Sequence, residues 1–118
     1  MSLHIIIRNI KYWFQRRTRG WSDDETWNLN YEFILWSNSR FKKYREQAVK
    51  MVDLEYYKFE YKDKIYTQLQ VIDRIIELTD YIINNDYYEM MWSDIERLEA
   101  MKNEIFDLFK MSFGAMWW

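Results

Sequence analysis

The sequence contains no cysteine and only one histidine, which excludes several kinds of chemistry at the outset. Without cysteine there are no disulfides, thiolate nucleophiles or sulfur-bound zinc sites. His4 is the lone histidine, so a nucleophile paired with a histidine base could form only at the very start of the chain. No phosphate-binding loop or dinucleotide fingerprint is present. We therefore expect no metal, no cofactor and no enzymatic activity, and predict a protein that binds.

Proline is absent, and glycine occurs only twice in 118 residues. Because proline breaks helix interiors, its absence favours long helices. No segment approaches the roughly 18 to 20 uncharged apolar residues that a membrane-spanning helix needs, and no signal peptide is recognisable. We expect one helical domain over residues 1–118, free of membrane, made in a reducing cytoplasm.

The net charge of −2 hides an asymmetry along the chain. Residues 1–50 carry ten Lys or Arg against five Asp or Glu, whereas residues 51–118 carry seven against fourteen. Aromatic residues make up 20% of the chain, which suits cores and also subunit interfaces. This pattern favours a homo-oligomer or a basic end that meets phosphate, although two solvated faces of a bundle explain the charges equally well.

The N-terminal segment has the spacing of an amphipathic helix. Its apolar residues, three and four positions apart, are Leu3, Ile6, Ile7, Ile10, Trp13 and Phe14. The opposite side is cationic and polar, with His4, Arg8, Lys11, Gln15 and Arg19. We expect the apolar stripe to face the core and the cationic side to face solvent, although a helix lying on a membrane surface shows the same pattern.

A joint between two helices is marked at residues 15–27. Gly20 can take the left-handed conformation that ends a helix. Ser22 and Glu25 have the spacing of a capping box that would open the second helix, and Asp23 and Asp24 suit the positive end of its dipole.

The rest of the chain predicts three further helices, which gives an all-α bundle of about four. Ser37, Asn38 and Ser39 are poor helix formers, so we expect helix 2 to be kinked or broken there. Residues 54–62 alternate like a strand but also fit a helix, and we interpret them as helix. A near-heptad seam then predicts a core helix, through Ile65, Leu69, Ile72, Ile76 and Ile83.

The last helix has two possible starts, one capping box at Asp86 and Glu89 and another at Ser93 and Glu96. Gly114 would stop this helix. The chain then ends on the indoles Trp117 and Trp118, which we expect to pack on the bundle or to meet another subunit.

Arginines cluster at the joint beside Trp21. Planar guanidinium donors and an indole face suit a phosphorylated, nucleotide-like ligand, while helix capping alone also accounts for these charges. The candidate ligand-binding residues are Arg16, Arg17, Arg19 and Trp21, helped by Arg40 and Lys43 of a second basic cluster. A long nucleic acid is less favoured, because the acidic half of the chain would oppose it.

Acidic pairs on the last helix raise one enzymatic alternative. Glu96 with Glu99, and Glu104 with Asp107, have the i, i+3 spacing seen in all-helical nucleotide hydrolases that bind magnesium. Both pairs lie on one helix, however, where that chemistry needs two facing helices. Exposed acids explain the pairs better, and the hydrolase stays an outsider.

Residues 16–27, followed by 33–35 and 39–45, resemble a family of small uncharacterised tailed-bacteriophage proteins. The shared features are an arginine–glycine–aromatic run, an acidic stretch and a Glu-Thr-Trp segment, and the aromatic end of the chain is loosely similar. Asn38 and Ser39 stand where those proteins tend to have proline. The resemblance implies a phage product in the bacterial host cytoplasm, where a counter-defence role is expected, and it implies no catalytic residue.

Two functions follow as hypotheses. The first is a non-enzymatic protein that sequesters a phosphorylated ligand at the arginine and tryptophan corner. The alternative is a structural or host-protein-binding helical oligomer whose aromatic residues make the contacts between subunits.

Overall fold

A computed structural model of the chain describes residues 2–117. Over this range the protein is mostly helical, with five α-helices, one two-stranded sheet and two short 3-10 helices. The helices are α1 (Leu3–Arg19), α2 (Leu29–Met51), α3 (Gln68–Asn84), α4 (Tyr87–Ser93) and α5 (Ile95–Ser112). The strands are β1 (Lys58–Tyr61) and β2 (Lys64–Thr67), and the 3-10 helices are Asp23–Thr26 and Phe113–Ala115. The prediction of a mainly helical chain is confirmed, but the four-helix bundle is not.

The chain divides into two compact units, residues 1–33 and 34–118. The first holds α1, the first 3-10 helix and the start of α2, and the second holds the remainder. The assignment of residues 1–118 to one domain stays a prediction. No helix of the described part of the chain is long and apolar enough to cross a membrane.

The joint of the first unit has the predicted stop signal. Gly20 has a φ of +88° and donates its N–H to the carbonyl of Arg16 at 3.0 Å, which closes α1. Glu25 Oε2 accepts the N–H of Ser22 at 2.5 Å, as a capping box requires. This box opens the first 3-10 helix and not α2, which begins only at Leu29.

Helix α2 continues without a break through Ser37, Asn38 and Ser39, the residues at which the sequence predicts a kink or a break. Ser37 and Ser39 donate their hydroxyls to the carbonyls of Ile34 and Trp36, each at 3.1 Å, so these side chains bond along the helix itself. Asn38 is buried, and its amide donates to the hydroxyl of Thr79 at 2.9 Å and to the carboxylate of Asp80 at 3.0 Å. The predicted break is wrong because tertiary hydrogen bonds outweigh weak helix propensity, whereas a kink stays a prediction.

Residues 58–67 form an antiparallel hairpin, so the predicted helix over residues 54–62 is wrong. Phe59 pairs with Tyr66, and Tyr61 with Lys64. Phe59, Tyr61 and Tyr66 pack against the core, whereas Lys58 and Glu60 are exposed. The alternation of aromatic and charged residues therefore indicates a strand, although no glycine or asparagine marks the turn of the hairpin.

Helix α3 lies in the core of the second unit, as predicted. Its fully buried side chains include Val71, Ile72, Ile75 and Ile82, and the first three pack with residues of α2 and α5. Ile65, at the start of the predicted seam, lies on β2 and is 71% exposed. The helix begins at Gln68, where Thr67 caps it, so the seam could not extend back through the hairpin.

The predicted segment forms two helices, and the first predicted start, at Asp86, is used. The second predicted start, at Ser93, is wrong, because the hydroxyl of Ser93 donates to the carbonyl of Glu89 at 2.8 Å within α4. Asp86 caps α4 by accepting the N–H of Tyr88 at 3.0 Å. Helix α5 follows after a single residue, Asp94, which stands at its N-cap. Past α5 the chain continues through Gly114 in the second 3-10 helix to Trp117, whereas Trp118 lies outside the described residues.

The hairpin turn offers a test of this topology. Lys62 and Asp63 have φ values of +50° and +64°, a left-handed pair that favours Asn-Gly. We expect the double substitution Lys62→Asn, Asp63→Gly to raise the free energy of unfolding by roughly 1 kcal/mol, because it relieves the conformational cost. Chemical denaturation measures this change.

The same Lys→Asn substitution at Lys58 serves as the control. Lys58 lies within β1 and has no positive φ, so we expect it to give no stabilisation. Destabilisation by the turn variant would contradict a two-residue hairpin at this position.

Candidate functional site

The arginine corner is held together by contacts with the acidic segment that follows it. Arg16 donates to the hydroxyl of Ser22 at 3.0 Å and lies 3.9 Å from the carboxylate of Asp24. Arg19 donates to the carboxylate of Asp23 at 2.5 Å. Both arginines therefore bond groups of residues 21–24 within the chain.

Asp23 is the centre of this network. Its backbone N–H and its carboxylate both bond the amide group of Gln15, each at 2.8 Å, and Lys11 Nζ lies 3.5 Å from the carboxylate. The hydrogen bonds from Arg19 and Gln15 lower the pKa of Asp23 from its ordinary 3.8 to about 2. One carboxylate thus binds three side chains of α1.

Aromatic contacts extend the same packing. The Arg19 guanidinium lies 3.7 Å from the ring centre of Trp21, and Arg8 lies 5.9 Å from that of Trp27. Tyr12, the one buried residue of α1 among those described, meets Trp27 edge-on at 5.7 Å. Residues on the polar side of α1 from Arg8 to Arg19 therefore contact residues 21–27.

The apolar side of α1 is exposed, so the expectation that it faces the core is wrong, whereas the cationic residues on the opposite side are exposed, as predicted. We name as the α1 stripe the residues Leu3, Ile6, Ile7, Ile10, Trp13 and Phe14, which are 42 to 72% exposed. A periodic pattern identifies the two sides of a helix but not which side is covered. Here hydrogen bonds and ion pairs fix the cationic side against residues 21–27, and the apolar side remains exposed.

Arg17 differs from its neighbours. Its guanidinium lies 5.1 Å from the ring centre of Trp13, beside the α1 stripe. Arg17 makes no ion pair with a carboxylate in residues 2–117.

Arg40 and Lys43 belong to the second unit and make contacts along α2. Arg40 lies 5.4 Å from the ring centre of Trp36 and donates to the hydroxyl of Ser39 at 3.1 Å. Lys43 lies 3.7 Å from the carboxylate of Glu46. The six predicted ligand-binding residues are thus divided between the two units, and their joint use by one ligand stays a prediction.

Three of the four acidic residues of α5 have structural partners, namely Glu99, Glu104 and Asp107. Glu104 accepts two hydrogen bonds from Arg74, and Glu99 pairs with Lys102 at 2.7 Å. Asp107 accepts the hydroxyl of Tyr61 at 2.9 Å, and burial followed by this contact raises the pKa of Tyr61 to about 12. Within residues 2–117 no group of three or more potential ligands is arranged to hold a metal ion.

Sequence reasoning missed a second feature, an open cavity in residues 34–118 beside the hairpin. Tyr56, Tyr57 and Trp117 line it together with Asp53. The interpretation of residues 54–62 as helix hid this cluster, since two adjacent tyrosines on a helix would point in different directions.

Comparison of the chain with protein-family models, curated proteins and solved structures found no match. The resemblance to phage proteins gains no support from these comparisons and stays a prediction. The function proposed below therefore rests on the contacts and charges of this chain.

The Asp23 network predicts how the joint depends on pH. The folded-state pKa is below the ordinary value, so the carboxylate stabilises the joint above about pH 4, and this contribution is lost as the pH falls through about 2. We expect Asp23→Asn to loosen the joint at pH 7 and to remove this acid transition. Amide hydrogen exchange of residues 21–27 measures both effects.

Asp63→Asn is the matched control, because Asp63 makes no ion pair in the described chain and stands at a turn position that Asn also tolerates. Unchanged exchange in Asp23→Asn would contradict the role given to this network.

Proposed function

We propose that this chain is a non-enzymatic binding protein that associates with a second copy of itself through the α1 stripe. The observation that carries the proposal is the orientation of α1, whose cationic side is bound within the first unit while its apolar side is exposed. Large exposed apolar patches on protein surfaces are characteristic of interaction sites.

The size of the stripe suits a protein interface. A standard interface removes about 800 Å² from each partner, and six large side chains that each expose roughly 100 Å² supply most of that area. Two of the six are aromatic, a class of residue enriched at interface centres. The joint between α1 and residues 21–27 would hold these side chains in place before association.

Charge favours a protein partner over a membrane surface. A helix that binds anionic lipid directs its cations to the headgroups. In this protein Arg16, Arg19 and Lys11 are paired with Asp23 or Asp24. Residues 1–33 carry five Lys or Arg against four Asp or Glu, which leaves little net attraction for anionic lipid.

A second copy supplies a complementary surface, because two apolar stripes can bury each other about a two-fold axis. Arg17 sets the direction of pairing, since it is the one arginine of the joint without a carboxylate partner in the described residues. In an antiparallel pair, each Arg17 lies near Leu3 of the other copy. The two guanidinium groups are then roughly 20 Å apart at 1.5 Å per residue, beyond the ~8 Å Debye length of physiological salt.

The oligomeric state tests this proposal. We expect the protein to be a dimer by light scattering at ~100 μM, and we expect Ile10→Lys to make it monomeric, because a charge would be buried at the centre of the stripe. Ile10 is half-exposed, so the substitution leaves the core untouched.

Trp92→Lys is the control, because Trp92 is a large residue on α4 that is 89% exposed. This variant should remain dimeric. A wild-type protein that is monomeric at this concentration, or a dimer that persists in Ile10→Lys, would overturn self-association through α1.

A phosphorylated, nucleotide-like ligand is the second candidate, favoured by the unpaired Arg17 stacked on Trp13. Calorimetry against cyclic and linear nucleotides should then give a signal that is lost in Arg17→Ala and kept in Lys50→Ala. No heat with any nucleotide would eliminate this candidate. In either case the phage resemblance adds the proposal of an accessory role in a bacterial host, such as blocking a defence component.

A further inference from the structure

The second unit contains an open cavity of about 330 Å³ between the end of α2 and the C-terminal segment. Its volume lies at the lower end of the range for small-molecule sites. The cavity does not involve α1, and its lining is mostly aromatic and apolar.

Aromatic rings form the walls of this cavity. The rings of Tyr56 and Tyr57 stand at 90° to each other with their centres 5.2 Å apart. Trp117, which is 59% exposed, contributes a third ring. Rings set at right angles offer a cation more than one π face, and each face attracts a cation that lies within about 6 Å of the ring centre.

A hydrogen-bond network anchors the backbone that carries these rings. The side chain of Gln68, which is 2% exposed, donates to the carbonyl of Ala115 at 2.6 Å and to the hydroxyl of Tyr44 at 3.2 Å. That hydroxyl donates to the carbonyl of Trp117 at 3.1 Å. The N–H of Gln68 also donates to the carbonyl of Tyr57 at 3.2 Å. One buried residue, Gln68, therefore joins the tyrosine wall through its backbone N–H to the tryptophan wall through its side chain.

Among the described residues, the lining of the cavity has one carboxylate, that of Asp53, and no lysine, arginine or histidine. Asp53 accepts the N–H of Glu55 at 2.9 Å and forms no ion pair in the described part of the chain. Its negative charge is therefore available to a ligand.

We propose that this cavity binds a small quaternary ammonium compound. Three aromatic rings match the apolar, weakly hydrated surface of a trimethylammonium group, and Asp53 matches its charge. A simple inorganic cation would lose its hydration without oxygen ligands to replace it, and a neutral apolar ligand would leave the carboxylate unused.

Choline is the probe, and 3,3-dimethylbutan-1-ol, which has the same shape without the charge, is its control. NMR titration at constant ionic strength should show saturable choline binding that shifts the indole N–H signal of Trp117. We expect the neutral analogue to bind at least tenfold more weakly. No saturable choline binding, or equal affinity for the two compounds, would overturn the proposal.

Three variants locate the site within the unit. Asp53→Asn keeps an oxygen for the N–H of Glu55 but removes the charge, and should weaken choline binding roughly fivefold, the effect of about 1 kcal/mol between charges near 4 Å in water. Trp117→Ala should weaken binding roughly tenfold. Tyr56→Phe keeps the ring and should bind normally.

Trp92→Ala removes an exposed indole that does not line the cavity and should leave binding unchanged. Equal affinity in Asp53→Asn and the wild type would place choline elsewhere on the protein and overturn the assignment of this cavity.

Discussion

The orientation of the first helix depends on one carboxylate. Asp23 bonds Gln15 and Arg19 and lies 3.5 Å from Lys11, three residues on the same side of α1. These contacts hold the polar side of α1 against residues 21–27 and leave the apolar side exposed. The proposed association through the α1 stripe follows from this constraint.

The same contacts bear on the interpretation of Arg16 and Arg19 as phosphate-binding residues. A cationic side chain that pairs with Asp23 or Asp24 attracts a phosphate group less strongly, because the neighbouring carboxylate offsets its positive charge. The contacts of the joint therefore account for these side chains without a ligand. The second unit has the opposite arrangement at Asp53, whose carboxylate lacks an ion-pair partner in the described residues and which lines a cavity together with three aromatic residues. The carboxylate of Asp23 is thus engaged by side chains of α1, whereas that of Asp53 is available at the candidate ligand site.

Local signals in the sequence were sufficient for the helical character of the chain and for some helix ends. Gly20 and Asp86 act at the boundaries where their chemistry predicts them, whereas Ser22 caps a 3-10 helix and not the predicted start of helix 2. The hairpin was missed because its turn residues, Lys62 and Asp63, are not the usual ones for a positive φ. The exposed side of α1 and the cavity beside Tyr56 depend on contacts between distant residues, which a single periodic pattern does not specify.

Pairing of α1 across its stripe can be tested most directly by a single thiol, since the chain has no cysteine of its own. Ile10 lies midway between Leu3 and Arg17, so an antiparallel pair places the two copies of Ile10 opposite each other. Under mild oxidation, Ile10→Cys should give a disulfide-linked dimer, whereas Arg8→Cys, on the other side of the helix, should not. Failure of Ile10→Cys to cross-link, or equal cross-linking of both variants, would contradict an interface formed by the α1 stripe.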